Sequence, residues 1–86
     1  MEYYEGLTLL ACVDRKTNEQ KSEEHYGRIC DLYYMFGDTC RIVFDKEYIL
    51  TSWGMDVPEY YENESEKLLI LTTMNSKYYF RVYFKD

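Results

Sequence analysis

Apolar residues along this chain recur mostly with a period of two and are interrupted by short polar breaks, a pattern that predicts strands rather than helices. Leu7, Leu9, Ala11 and Val13 alternate with Thr8, Leu10 and Cys12, which predicts a first strand buried on both sides. Asp14 to His25 contains no apolar residue. Thr17 and Gln20 have capping-box spacing, but a helix there would be polar all round, so a solvated loop is expected. Arg28 to Phe36 fits two templates, with Tyr26, Ile29, Cys30 and Tyr33 on a helical stripe and Leu32, Tyr34 and Phe36 on a strand face. The turn signal Gly37-Asp38-Thr39, leading straight into Cys40-Arg41-Ile42-Val43-Phe44, favours the strand. A second turn at Asp45-Lys46-Glu47 feeds Tyr48-Ile49-Leu50-Thr51-Ser52-Trp53.

Gly54 and Pro58 then break the sheet pattern, and Asp56 is placed to cap a short helix over Glu59 to Glu64. A closing hairpin follows. Leu68, Ile70, Thr72 and Met74 alternate with Leu69, Leu71 and Thr73, and Asn75-Ser76 turns the chain. In the last strand Tyr78, Phe80, Val82 and Phe84 share one face, and Tyr79, Arg81, Tyr83 and Lys85 the other. The expected architecture is mainly β, or α+β if the short helix forms. It is a single domain over residues 1–86, an antiparallel sheet of about five or six strands rolled into a barrel or half-barrel.

Composition sharpens this picture at one place. The chain has sixteen acidic and ten basic residues, for a net charge of -6. Five of those acids, Asp56, Glu59, Glu62, Glu64 and Glu66, fall in the base-free stretch Asp56 to Glu66. Without it, eleven acids face ten bases, so nearly all of the net charge belongs to one segment. Tyr60 and Tyr61 lie inside it and Trp53 just before it. A concentrated negative patch selects basic partners and steers them by its field. The simpler alternative is an acidic loop that only keeps a small protein in solution.

Catalytic and metal chemistry find little support. His25 is the only histidine and follows Glu23 and Glu24 in the polar loop, where it is expected to be solvated rather than positioned. Its spacing to Cys30 and Cys40 fits no zinc pattern, and the acidic stretch lacks the spacing of an EF-hand loop. The four glycines form no phosphate loop. No enzyme activity, cofactor or metal is therefore expected. Three cysteines, Cys12, Cys30 and Cys40, without a CxxC pair predict free buried thiols in a reducing compartment. The opening Met-Glu-Tyr-Tyr-Glu has no basic start and no apolar run approaches a membrane span, so a cytoplasmic protein without membrane contact is expected. Tyr79, Arg81, Tyr83 and Lys85 interleave aromatic and base as a nucleic-acid face does, yet the excess negative charge opposes phosphate binding.

The stretch from Tyr48-Ile49-Leu50-Thr51-Ser52 to Leu71-Thr72-Thr73-Met74-Asn75-Ser76-Lys77-Tyr78-Tyr79 resembles small β-rich proteins encoded by phages and mobile elements, anti-CRISPR inhibitors among them. That resemblance implies a class, a single-domain protein that binds and blocks, and lends no functional residue to this chain. Together with the charge pattern it leads to an expected non-enzymatic inhibitor. Asp56, Glu59, Tyr60, Tyr61, Glu62, Glu64 and Glu66, with Trp53, would occupy the basic nucleic-acid groove of a partner such as an effector nuclease. The alternatives are a self-associating module, a homodimer pairing through the Tyr79–Lys85 strand, or a small-ligand sensor with a pocket in the barrel mouth.

Overall fold

The computed structural model describes residues 1–82 and shows one seven-stranded antiparallel sheet in the order β4-β3-β2-β1-β7-β6-β5. The strands are β1 (Glu2–Asp14), β2 (Ile29–Tyr34), β3 (Thr39–Val43), β4 (Tyr48–Trp53), β5 (Glu59–Glu62), β6 (Lys67–Thr72) and β7 (Ser76–Val82). A short 3-10 turn, Glu23–His25, interrupts the long β1–β2 connection. Strands form as expected at β2 to β4, β6 and β7; in β1 the alternation changes phase, so Cys12 is buried with Leu7 and Leu9 while Ala11 and Val13 are half-buried. Tyr83, Phe84 and Lys85, read above as part of the last strand, lie outside the described residues.

β1 organises the sheet. Its first half pairs with β2 and its second half with β7, and Leu7 and Thr8 pair with both. The register shifts between Tyr4 and Leu7, where Gly6 adopts φ +70°, and again on the β7 side between Leu9 and Ala11. Each shift is a β-bulge, which adds local twist and bends the strand. The Asp31 carboxylate fixes the first bulge, accepting from the Gly6 N–H at 3.0 Å and from the Tyr3 hydroxyl at 3.2 Å. Bent twice at its central strand, the single sheet curls until its two wings face each other. The core is the concave side: Leu7, Leu9, Leu32, Ile42, Leu71 and Phe80 are all at most 1% exposed.

The curl ends in a seam rather than in closure: of the barrel or half-barrel expected, the closed barrel does not form, and the sheet has seven strands rather than five or six. The end of β4 meets the end of β6, where Met55 N–H donates to Thr72 O at 3.1 Å and Met74 N–H to Trp53 O at 2.8 Å. The Ser52 hydroxyl donates to Thr73 Oγ1 at 2.8 Å beside it. The rest of β4 and all of β5 remain sheet edges, because a barrel needs a continuous ladder between first and last strands and only isolated bridges form here.

Two further expectations are overturned. Glu59 to Glu64 forms no helix; Glu59–Glu62 is a strand laid on β6. A single helical turn could bury nothing there, whereas the free edge of β6 offers four residues of ladder. β7 lies between β1 and β6, so Tyr79 to Val82 has no open edge for pairing with another copy. The polar stretch Asp14 to His25 is also more firmly held than a solvated loop. The Tyr26 hydroxyl reaches Cys12 O and Lys21 O, both at 2.9 Å, and accepts from Cys12 N–H at 3.0 Å. Lys21 pairs with Asp14 at 2.9 Å.

Candidate functional site

Pro58, buried at the threshold of β5, disfavours helical geometry at Val57 and precedes the strand without needing a ladder donor. β5 then pairs with β6 in the register Glu59↔Ile70, Tyr60↔Leu69, Tyr61↔Leu68 and Glu62↔Lys67. Its other edge faces solvent and all four of its residues are exposed. Asn63 closes the hairpin: its Oδ1 accepts from the N–H groups of Ser65 at 2.9 Å and Glu66 at 2.7 Å, an Asx turn. Glu64 and Glu66 therefore project from the turn, and Asp56 from the β4–β5 connection, all exposed.

Because side chains alternate across a strand, β5 divides the acidic segment between two faces. Tyr60 and Glu62 share the side of the buried Leu69, and the Tyr60 hydroxyl donates to Glu62 Oε2 at 3.2 Å. Glu59 and Tyr61 share the opposite side, and the Tyr61 hydroxyl donates to Glu59 Oε2. Each tyrosine thus holds one carboxylate in place. Partial burial and the Glu62 carboxylate raise the Tyr60 hydroxyl above its usual range; the hydrogen bond to Glu59, then its charge, raises Tyr61. Both stay neutral donors at physiological pH. Glu62 also lies 3.9 Å from the Lys67 ammonium, an exposed pair worth at most about 1 kcal/mol.

The arrangement is a two-sided acidic ridge. A basic groove could grip it from both flanks, with β5 forming the outermost strand of the sheet. Trp53 is not part of this ridge: it ends β4 at the seam, with its carbonyl bonded to Met74 and its side chain 54% exposed. The eight residues singled out in the sequence are thus brought together in two places, with seven on or beside β5 and Trp53 apart from them.

Elsewhere the chemistry is structural. Cys12, Cys30 and Cys40 are free and buried. Burial, then the Asp31 charge, pushes the Cys30 thiol up to about 12, and burial raises Cys12, which keeps both protonated. His25 is not solvated as expected. Its ring stacks on Phe44 at 4.5 Å, its Nδ1 lies 3.0 Å from the Arg28 guanidinium, and its side chain is 12% exposed. Glu47 completes the cluster, 3.2 Å from the same guanidinium. No sequence signal could have found this group, since Phe44 and Glu47 reach His25 only through the sheet. Among the described residues no group of three or more His, Cys, Asp or Glu side chains converges as metal ligands do, and no helix is long and apolar enough to cross a membrane.

No family model, no curated protein and no solved structure matches this chain.

Proposed function

We propose that the protein is a non-enzymatic inhibitor that works by occupancy: its acidic β5 hairpin enters a basic surface of a partner protein and fills space otherwise taken by nucleic acid. The observation that carries this reading is the placement of the five carboxylates on and around one exposed sheet edge, with two of them held by tyrosines. Carboxylates at strand spacing can stand in for phosphates, and the tyrosine rings for bases stacked beside them. Edge protection alone accounts for the charge less well. The other edge strand, β4, reads Tyr-Ile-Leu-Thr-Ser-Trp and carries no charge, so charge is not applied to edges generally. The class of partner implied by the resemblance in sequence is an effector nuclease of host defence, met in the cytoplasm, and the reading extends to it.

The test is capture of partners on the immobilised protein, with elution by a salt gradient and by competing nucleic acid. The expected result is a nucleic-acid-binding protein released by both. It should be lost when Glu59, Glu62 and Glu64 are all changed to lysine, in a variant whose melting temperature stays near that of the wild type. Such binding is steered by charge and weakens with ionic strength. Binding that resists salt, or that survives the triple reversal, would refute the proposal.

A further inference from the structure

Three of the large exposed apolar side chains come together where β4 meets β6. Trp53, Met55 and Met74 are 54%, 41% and 50% exposed, and they flank a single bridge, Gly54↔Thr73. That antiparallel bridge sets Trp53 opposite Met74. Gly54 and Thr73 are buried, so their neighbours Trp53 and Met74 point outward. Phe36, 71% exposed, is bridged to the same Gly54 and so lies on that residue's face rather than in the Trp53–Met74 patch. Tryptophan and methionine are enriched in the centres of protein interfaces.

Charge borders this patch in a definite order. Beyond Met74, the Arg15 guanidinium donates to the carbonyls of Thr73 at 2.9 Å and Met74 at 3.3 Å. Lys16 lines the adjoining cleft of about 510 Å³ with Arg15, Met74 and Asn75. In the opposite direction along the seam, one residue past Met55, stands the exposed carboxylate of Asp56. The surface therefore runs positive, apolar, negative. A strip of that polarity is complementary to itself after a two-fold rotation.

The geometry points to a homodimer formed through this seam with a second copy of the chain. Trp53 and Met74 pack on their symmetry counterparts, and Lys16 of each copy faces Asp56 of the other. Three large side chains fall short of the roughly 800 Å² that each partner buries in a standard interface, so the dimer is weak and dissociates on dilution. Glu59, Glu62 and Glu64 lie outside the seam. Asp56 belongs to both surfaces, but the triple reversal spares it, so that variant loses partner capture while the dimer stays intact.

Analytical ultracentrifugation of the full chain over a dilution series tests this, with emission of Trp53, the only tryptophan, as a second readout. Association should shift that emission to the blue and protect it from acrylamide. Met74→Glu should give a monomer with an unchanged melting temperature, its side chain being exposed. Lys16→Glu and Asp56→Lys should each weaken the dimer roughly tenfold, and the double swap should restore it. A monomer at every concentration overturns the proposal and leaves the seam for a different protein. A dimer indifferent to Met74→Glu, or a double swap without rescue, overturns it equally.

Discussion

Gly54 is where one added carbon decides whether the sheet can curl. A Cβ there would lie 2.7 Å from Met35 O, 2.8 Å from Tyr34 Cε2 and 3.1 Å from Cys40 Sγ. The first is backbone and the second a buried ring, so neither can swing aside. Gly54→Ala should cost about 1–3 kcal/mol by overpacking, read from urea unfolding. Gly6 offers a contrast, since nothing lies within 4 Å of its notional Cβ but its φ of +70° strains any side chain. Gly6→Ala should cost about 1–2 kcal/mol for that backbone reason alone, without opening the seam. Opening is visible as faster exchange of the Met55 and Met74 amides, which Gly54→Ala should show and Gly6→Ala should not. Beside Gly54, the Tyr34 hydroxyl is buried with no hydrogen-bond partner among the described residues. Leaving such a group unpaired costs about 1–3 kcal/mol, so Tyr34→Phe should hold or raise the melting temperature. A clear drop would reveal an acceptor for that hydroxyl.

At the scale of elements, the sequence was informative where burial is one-sided and silent where it is not. In β2 and β3 the alternation of Cys30, Leu32 and Tyr34 and of Cys40 and Ile42 maps directly onto the concave face. β5 has four exposed residues, so no apolar period marks it, and the acids after Asp56 suggested a helix instead. Its strand character comes from β6, a contact that local pattern does not contain. Strand number fell one short because β5 was missed, and whether the sheet closes was not legible because the bulges at Gly6 and Leu9/Ala11 depend on register with β2 and β7. The seven candidate residues from Asp56 to Glu66 were legible as a segment, although not their split between two faces. Trp53 was legible as an aromatic, but its partner Met74 was hidden at the end of the alternating apolar run that begins in β6. Because β5 rests on one neighbour and one turn, it should be the least protected strand. Asn63→Ala removes the acceptor for the Ser65 and Glu66 amides and should speed hydrogen exchange in β5 while β1 and β7 stay protected. Uniform loss of protection would mean that the hairpin is cooperative with the core.

For the molecule as a whole, the titrating groups set a window of stability. Asp14 is lowered to about 2, first by its hydrogen bond from Lys21, then by the N–H groups of Thr17 and Lys16. A carboxyl lowered in the folded state stabilises fully above its unfolded value of about 3.9, and that contribution is lost as pH falls from there towards 2. On the alkaline side Cys30 is raised to about 12 by burial and then by Asp31, and Tyr4 to about 12 by burial and its hydrogen bond to Glu2. Groups kept protonated by the fold contribute fully below their unfolded values, about 8.5 for a thiol and 10 for a phenol. Their contribution fades as pH rises from there towards 12. Melting temperature should thus plateau between about pH 4 and pH 8.5 and fall on both sides. Asp14→Asn should lower the plateau and flatten the acid limb, because the neutral amide cannot lose charge. Cys30→Ala should move the alkaline onset from the thiol range towards the phenol range, again with a lower plateau from the cavity it leaves. An acid limb unchanged in Asp14→Asn would mean that Asp14 does not set the acid limit of the fold.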